Sequence, residues 1–293
     1  MNRTTIRDLG QRLPIGIPSA EGSVLAKNFV LRLYKAQIDR HLSLWREANG
    51  EKPIAYLVTQ YVAMVLRSIG DKAFTVDKDG TPTDETVFDV TQLFFADVMY
   101  IYVWSRINEL DSYIWKPIKC PVCGHVTKNA KFDLFDSDVT TVDSVSELEK
   151  WVKLRHDLVL RTGHKTRRVK LRPVRWGVMH HEGLGGDRLD TAGYIQLQHS
   201  IAGVDALQST YNVTEAELDE MRKIDLVTLQ RESNSVSAGL DMQTHIVCPG
   251  RDKSKPCGFE ITESLDWTFD SFFGSSFELH PPTEDTETGG TGD

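Results

Sequence analysis

Cysteine is scarce in this chain: four residues in 293. So low a count excludes a scaffold knit together by many disulfides. Long apolar runs are missing too. The best stretch, Val90 to Leu110, is interrupted by Asp97, Arg106 and Glu109, so the sequence predicts no membrane span. The opening Met-Asn-Arg-Thr-Thr-Ile-Arg-Asp contains no apolar core segment, and no secretory leader is expected. Positive charge is not in excess: 34 Lys and Arg face 42 Asp and Glu, a formal net charge of −8. That balance argues against a general nucleic-acid binder. A recognisable catalytic set is absent, because no Ser, His and acidic residues sit in a nucleophile motif. Gly183-Leu-Gly-Gly-Asp187 lacks the Gly-Lys-Ser/Thr end of a phosphate-binding loop. The adjacent His180 and His181 would point to opposite faces of a strand, which makes a poor joint ligand set. These absences leave a soluble, non-enzymatic protein made in a reducing cytoplasm as the expectation.

What the chain does have is enough length for a sizeable core, one large domain or two modest ones. Its four cysteines fall into two half-sites, Cys120-Pro-Val-Cys123-Gly124-His125 and Cys248-Pro-Gly-Arg-Asp-Lys-Ser-Lys-Pro-Cys257-Gly258-Phe259. Each half-site begins Cys-Pro and ends Cys-Gly. A tetrahedral zinc ion takes four soft ligands, and two loops giving two thiolates each supply that set. The glycine after the second cysteine permits the tight turn that aims an amide at sulfur. The pattern predicts one structural zinc ion held by Cys120, Cys123, Cys248 and Cys257. The eight-residue spacer from Pro249 to Pro256 is longer than a usual knuckle, but it is polar and turn-rich and can bulge outward. Two reduced thiol pairs, disulfides, or His125 as a ligand are the alternatives. A closed site of this kind keeps no open position for a substrate.

The expected fold class is α+β: a helical amino-terminal half, a β-rich zinc-ribbon region assembled from distant knuckles, and a carboxy-terminal helical region. Residues 1–27, rich in Gly and Pro, read as an extended arm that is ordered only by docking. Residues 28–112 read as a strand (Asn28 to Lys35) followed by helices. One helix carries Ile38, Leu42 and Trp45 and stops near Asn49-Gly50. The next begins at Pro53 and carries Ile54, Leu57, Val58, Tyr61, Val65 and Ile69. A third runs from Asp89 to Glu109, apolar nearly all round, hence buried or covered by a partner. Residues 113–182 hold the strands flanking the first knuckle and a β-hairpin turning at Thr162-Gly163-His164-Lys165. Residues 183–240 read as helices, one over Arg188 to Leu207 and one starting at the capping box Thr214-Glu-Ala-Glu217. Residues 241–280 contain the second knuckle and an aromatic segment with Trp267, Phe272 and Phe273. Residues 281–293 form an acidic tail expected to be disordered.

The hairpin concentrates the basic charge, including Arg161, Arg167, Arg168 and Arg172. Such an edge grips phosphates or an acidic protein; equally, charges protect an edge strand from aggregation. The patch lacks interleaved aromatics, which places nucleic acid below an acidic protein as its partner.

The order of parts resembles the baseplate-hub and tail-assembly proteins of contractile-tailed, T-even-type phages. The resemblance rests on Leu13-Pro14-Ile-Gly-Ile-Pro18-Ser19, on Phe88-Asp89-Val-Thr-Gln-Leu93-Phe94-Phe95, on Cys120, Cys123 and Gly124 followed by Asp133-Leu134, and on Cys248 and Cys257 followed by Phe272-Phe273. The long second spacer and the basic hairpin depart from that pattern. The resemblance implies a zinc-bearing structural protein of a virion tail baseplate, made in the host cytoplasm. Its partners would be other tail and baseplate proteins, with multiple copies in a symmetric assembly. Arg161, Arg167, Arg168, Arg172, Trp267, Phe272 and Phe273 are the candidate contact residues. Two other roles fit the same sequence: an assembly chaperone absent from the finished particle, and a zinc-ribbon nucleic-acid binder using the basic hairpin.

Overall fold

The amino-terminal segment is part of the core rather than a free arm. The computed structural model describes residues 1–19, 24–33, 35–181, 189–205, 211–236, 238–241, 243–252 and 255–264. It opens with β1 (Asn2–Thr5), α1 (Ile6–Leu9), β2 (Arg12–Pro18) and β3 (Leu25–Leu31). Ile6, Leu13 and Ile15 are fully buried. Gly16 adopts φ 88°, and a Cβ there would lie 2.5 Å from the Ala26 carbonyl oxygen, so only glycine lets β2 lie against β3.

α2 (Ala36–Ala48) ends at Asn49, as its Asn-Gly stop signal predicts. α3 (Ile54–Val65) follows Pro53, but the expected stripe does not reach Ile69 as helix. The chain turns extended at Leu66 into β4 (Leu66–Ile69), which pairs with β3 and with β5 (Lys72–Ala73) in a sheet ordered β2-β3-β4-β5. Here ladder pairing overrides an apolar spacing that suits either state.

The long third helix is two. α4 (Asp84–Gln92) starts at a Thr83 cap and stops before Leu93; α5 (Phe95–Glu109) begins afresh. At the break, the Leu93 carbonyl accepts from the Trp176 amide at 2.8 Å and the Phe95 amide donates to the Val174 carbonyl at 3.0 Å. A distant segment thus takes the backbone bonds that a continuous helix would have used. α5 is buried on all sides, with Tyr100, Ile101, Tyr102 and Val103 fully inaccessible within the largest apolar cluster.

β6 (Tyr113–Lys119) and β7 (Val126–Asp133) form the first knuckle hairpin, in the expected places. β8 (Asp138–Thr141) lies between β1 and a later short strand. β9 (Lys150–Val159) and β10 (Lys165–Leu171) make the basic hairpin. α6 (Leu189–Ser200) gives way to β11 (Ile201–Val204), which adds to β10. The helix expected over Arg188 to Leu207 therefore ends early, and β10 is a central strand, with β9 and β11 as the two edges of the sheet. α7 (Glu215–Asp219) carries the capping box in full, and a new helix, α8 (Lys223–Val236), replaces the single one expected. A second apolar cluster lies between this sheet and these helices, around Leu158, Val169, Val204, Leu218 and Leu229. β12 (Gly239–Leu240), β13 (Gln243–Val247), β14 (Arg251–Asp252), β15 (Lys255–Pro256) and β16 (Glu260–Ser264) complete the described elements.

Three buried carboxylates tie remote strands. Asp97 on α5 accepts the amides of Ile15 and Gly16, each at 2.9 Å. Asp225 on α8 accepts from the Arg155 amide at 2.7 Å and sits 2.7 Å from His156 Nδ1. Glu217 accepts from the Arg161 amide and the Tyr211 hydroxyl, both at 2.6 Å. Each satisfies donors that burial would otherwise leave unpaired.

Candidate metal centre

The two half-sites sit at the tips of two antiparallel hairpins, β6–β7 and β13–β16. A small apolar cluster of Ile118, Ala130, Phe132 and Ile261 surrounds Cys120 and Cys248, and Lys116 pairs with Glu263 between the hairpins at 3.1 Å. The four sulfurs lie within 4.8 Å of one another. Cys120 and Cys257 approach to 3.8 Å, and Cys123 and Cys248 to 3.5 Å. A tetrahedron of metal–sulfur bonds near 2.3 Å has an edge of about 3.8 Å, whereas a disulfide needs about 2.0 Å. The sulfurs are therefore unbonded to one another and spaced to share one metal ion. Among the described residues this is the one group of His, Cys, Asp or Glu side chains so placed.

The half-sites are built alike. The Cys120 amide donates to the His125 carbonyl at 2.8 Å, and the Cys248 amide donates to the Phe259 carbonyl at 2.9 Å. Gly124 and Gly258 both adopt positive φ, 71° and 61°, immediately after the second cysteine. Nothing lies within 4 Å of a Cβ at either position, so glycine is needed there for backbone conformation and not for space. The amides of Val122 and Cys123 point at the Cys120 sulfur, and the Gly250 amide donates to Cys248 at 3.3 Å. The long second spacer is a short knuckle interrupted by the β14–β15 ribbon. Arg251 pairs with Pro256, and the Cys257 amide closes the base by donating to the Gly250 carbonyl at 2.8 Å. The outward bulge expected from composition is this ribbon.

The thiols titrate unequally. Burial pushes Cys120 up, but the amides of Cys123 and Val122 outweigh it, and its pKa falls to about 7. Cys248 is pushed up to about 12, by burial first and then by neighbouring sulfurs, with the Gly250 amide opposing. The Phe259 amide draws Cys257 down, yet burial and the sulfurs of Cys123 and Cys120 leave it raised. One thiolate forms readily and opposes the rest, so a divalent cation is the species that stabilises four together.

Gly250 is a position the sequence reading passed over. A Cβ there would lie 2.5 Å from His125 Cβ, 2.7 Å from His125 Cγ and 3.1 Å from the Cys123 sulfur. His125 is thus a wall of the site and stands outside the four-sulfur group. Gly250→Ala is expected to lower metal affinity about ten- to hundredfold, as disruptions just outside a ligand set do, whereas Gly124→Asn is expected to stay within about threefold because asparagine tolerates positive φ. Competition titration with a coloured chelator reads both; equal affinities for the two variants would contradict the packing argument.

Of the predicted contact residues, Arg167 and Arg168 fall on β10, Arg161 in the turn before it and Arg172 just after it. Arg167 pairs with Asp157 at 2.5 Å and Arg168 with Asp205 at 3.4 Å. Arg161 lies over the Tyr211 ring at 5.6 Å, and the Arg172 amide donates to the Ser200 carbonyl at 2.8 Å. Trp267, Phe272, Phe273 and the acidic tail lie outside the described residues. His180 serves packing: its Nε2 is 2.7 Å from Thr59 Oγ1, and its ring stacks on Tyr56 at 3.9 Å. Among the described residues no helix is long and apolar enough to cross a membrane. No protein-family model matches the chain, and neither a curated protein nor a solved structure matches it at a significant level.

Proposed function

We propose that the chain is a non-enzymatic structural protein of a contractile phage tail baseplate, near the hub or wedge, clamped by one zinc ion in a split zinc ribbon. The observation that carries this reading is the closed four-sulfur cluster. All four cysteines converge on one point, and their loops aim amides at the sulfurs rather than leaving a ligand position open. Zinc suits the set because it takes tetrahedral thiolates and has no redox chemistry to control. When bound, the ion would hold the hairpins 113–133 and 243–264 in one orientation and fix the chain as a rigid building block. The tail assignment rests on the order of the short motifs around Leu13-Pro14, Phe88-Asp89 and the two cysteine pairs. Its partners on this reading are other tail proteins, in multiple copies, in the virion.

Mass spectrometry of purified particles, paired with affinity capture from infected-cell lysate, tests the reading. The chain is expected in the particles and with tail proteins in the lysate. Capture with tail proteins but absence from particles would make it an assembly chaperone. A partnerless monomer in both preparations would sink the tail assignment.

A further inference from the structure

The basic hairpin has an aromatic partner that lies upstream of its arginine-rich stretch. Trp151 on β9 is directly opposite Lys170 on β10. The Arg168 guanidinium carbon and the Lys170 ammonium lie 5.0 Å and 5.8 Å from its ring centroid. The ring remains 45% exposed. Strand alternation places Trp151, Lys153 and Arg155 on the outward face, repeating about every 6.8 Å, while Val152, Leu154 and Leu158 enter the core.

Charge on this face is not balanced locally. Lys153 stands directly across from Arg168, and like charges in such a pair destabilise a sheet. Asp157, Asp205 and Glu149 pair with Arg167, Arg168 and Lys170 respectively. Among the described residues no carboxylate forms an ion pair with Lys153, Arg155 or Lys165. Protecting an edge strand calls for a lysine or two, and neither a half-open tryptophan nor opposed cations.

We infer that this face binds single-stranded nucleic acid. Lys153, Arg155 and Lys165 take the phosphates, and a base stacks on Trp151. An unpaired strand fits where a duplex does not, because only unstacked bases present a free ring face to an aromatic side chain. An acidic protein would satisfy the cations and leave the ring unused. The net charge of −8 does not oppose the contact, since exposed charges beyond about 8 Å are screened at physiological ionic strength.

The test is fluorescence anisotropy of the intact, metal-loaded protein with labelled oligothymidylate and oligouridylate of roughly 15 nucleotides. If three phosphates are neutralised, affinity is expected to fall about twentyfold between about 50 and 200 mM salt. Trp151→Ala should weaken binding about ten- to hundredfold, and Lys153→Glu with Arg155→Glu should abolish it. All three side chains face outward, and Lys153→Glu puts opposite charges across from one another, so thermal melts of the variants should not fall below the parent's. Three outcomes would overturn the inference: no binding at the lower salt, duplex bound as tightly as single strand, or binding untouched by Trp151→Ala. Competition by polyglutamate equal to that by oligonucleotide, with no Trp151 dependence, would assign the face to an acidic protein.

Discussion

Protein purified without added metal is expected to carry one zinc ion per chain by elemental analysis, and Cys120→Ser or Cys248→Ser to carry essentially none. If four thiolates share roughly 10–16 kcal/mol of apparent binding free energy, losing one removes on the order of 3 kcal/mol or more. The loss is felt beyond the site, because Cys120 and Cys257 are 137 residues apart in sequence. A link spanning that loop removes about 5 kcal/mol of chain entropy from the denatured state on the loop-closure estimate. Chelation should therefore release the β13–β16 hairpin from β6–β7, and hydrogen exchange should show both hairpins unprotected while α5 stays protected. Iron in place of zinc would change the ion and keep the clamp. Metal-free parent protein with fully protected hairpins would remove the clamp altogether.

The second large effect belongs to Asp97. Its replacement by alanine leaves the Ile15 and Gly16 amides buried without an acceptor, at a cost of about 3 kcal/mol or more. For a chain of this size that corresponds to a melting point lower by about 6–12 °C. Complete burial pushes the Asp97 carboxyl up to about 7, against the opposing pull of the two amides and of Lys27 and Arg175. The sign follows from proton counting. Between the ordinary carboxyl range and pH 7 the folded state holds a proton that the unfolded state has lost. This group's contribution to stability is thus full below about pH 4 and declines towards pH 7, with a slope approaching 1.4 kcal/mol per pH unit. Asp225 and Glu217 act in the opposite sense. Burial raises both, but hydrogen bonds from Arg155 and His156, and from Thr214, Tyr211 and Arg161, bring them below their usual values. Their contribution is present above the usual carboxyl range and lost as pH falls through their depressed values. Denaturant titrations from pH 4 to 7 should show a slope in the parent that is missing in Asp97→Ala; parallel slopes would mean that Asp97 is charged throughout.

The two cysteine half-sites are legible in the sequence because their chemistry is local. Cys-Pro, Cys-Gly and the turn-rich spacer each describe a short stretch of backbone, and the strands flanking both knuckles fell where expected. The capping box at Thr214 was legible for the same reason. What was hidden depends on contacts between remote segments. Nothing near Leu93 announces that residues 174–176 will take its backbone bonds and split a helix. Nothing near Leu66 says that β3 is waiting to pair with it. The amino-terminal segment looked like an arm because its glycines and prolines read as breaks, whereas Gly16 is the point at which two strands touch. A carboxylate in an apolar helix, Asp97, reads from sequence as an interruption of a hydrophobic run; the strand it serves lies 82 residues away. Trp151 carries no sequence signal of belonging to the basic patch, because its place there depends on strand register.

The distance along the chain between the two knuckles also sets an order of events during translation. The first half-site leaves the ribosome as an open pair of thiols, and the second cannot join it until Cys257 has been made, 137 residues later. The layers around α5 and β9–β10 would have time to assemble before an ion could lock them. On the zinc-clamp proposal, metal capture would be the closing act of biogenesis, and a cell short of the ion would accumulate chains that are folded at one end and unlatched at the other.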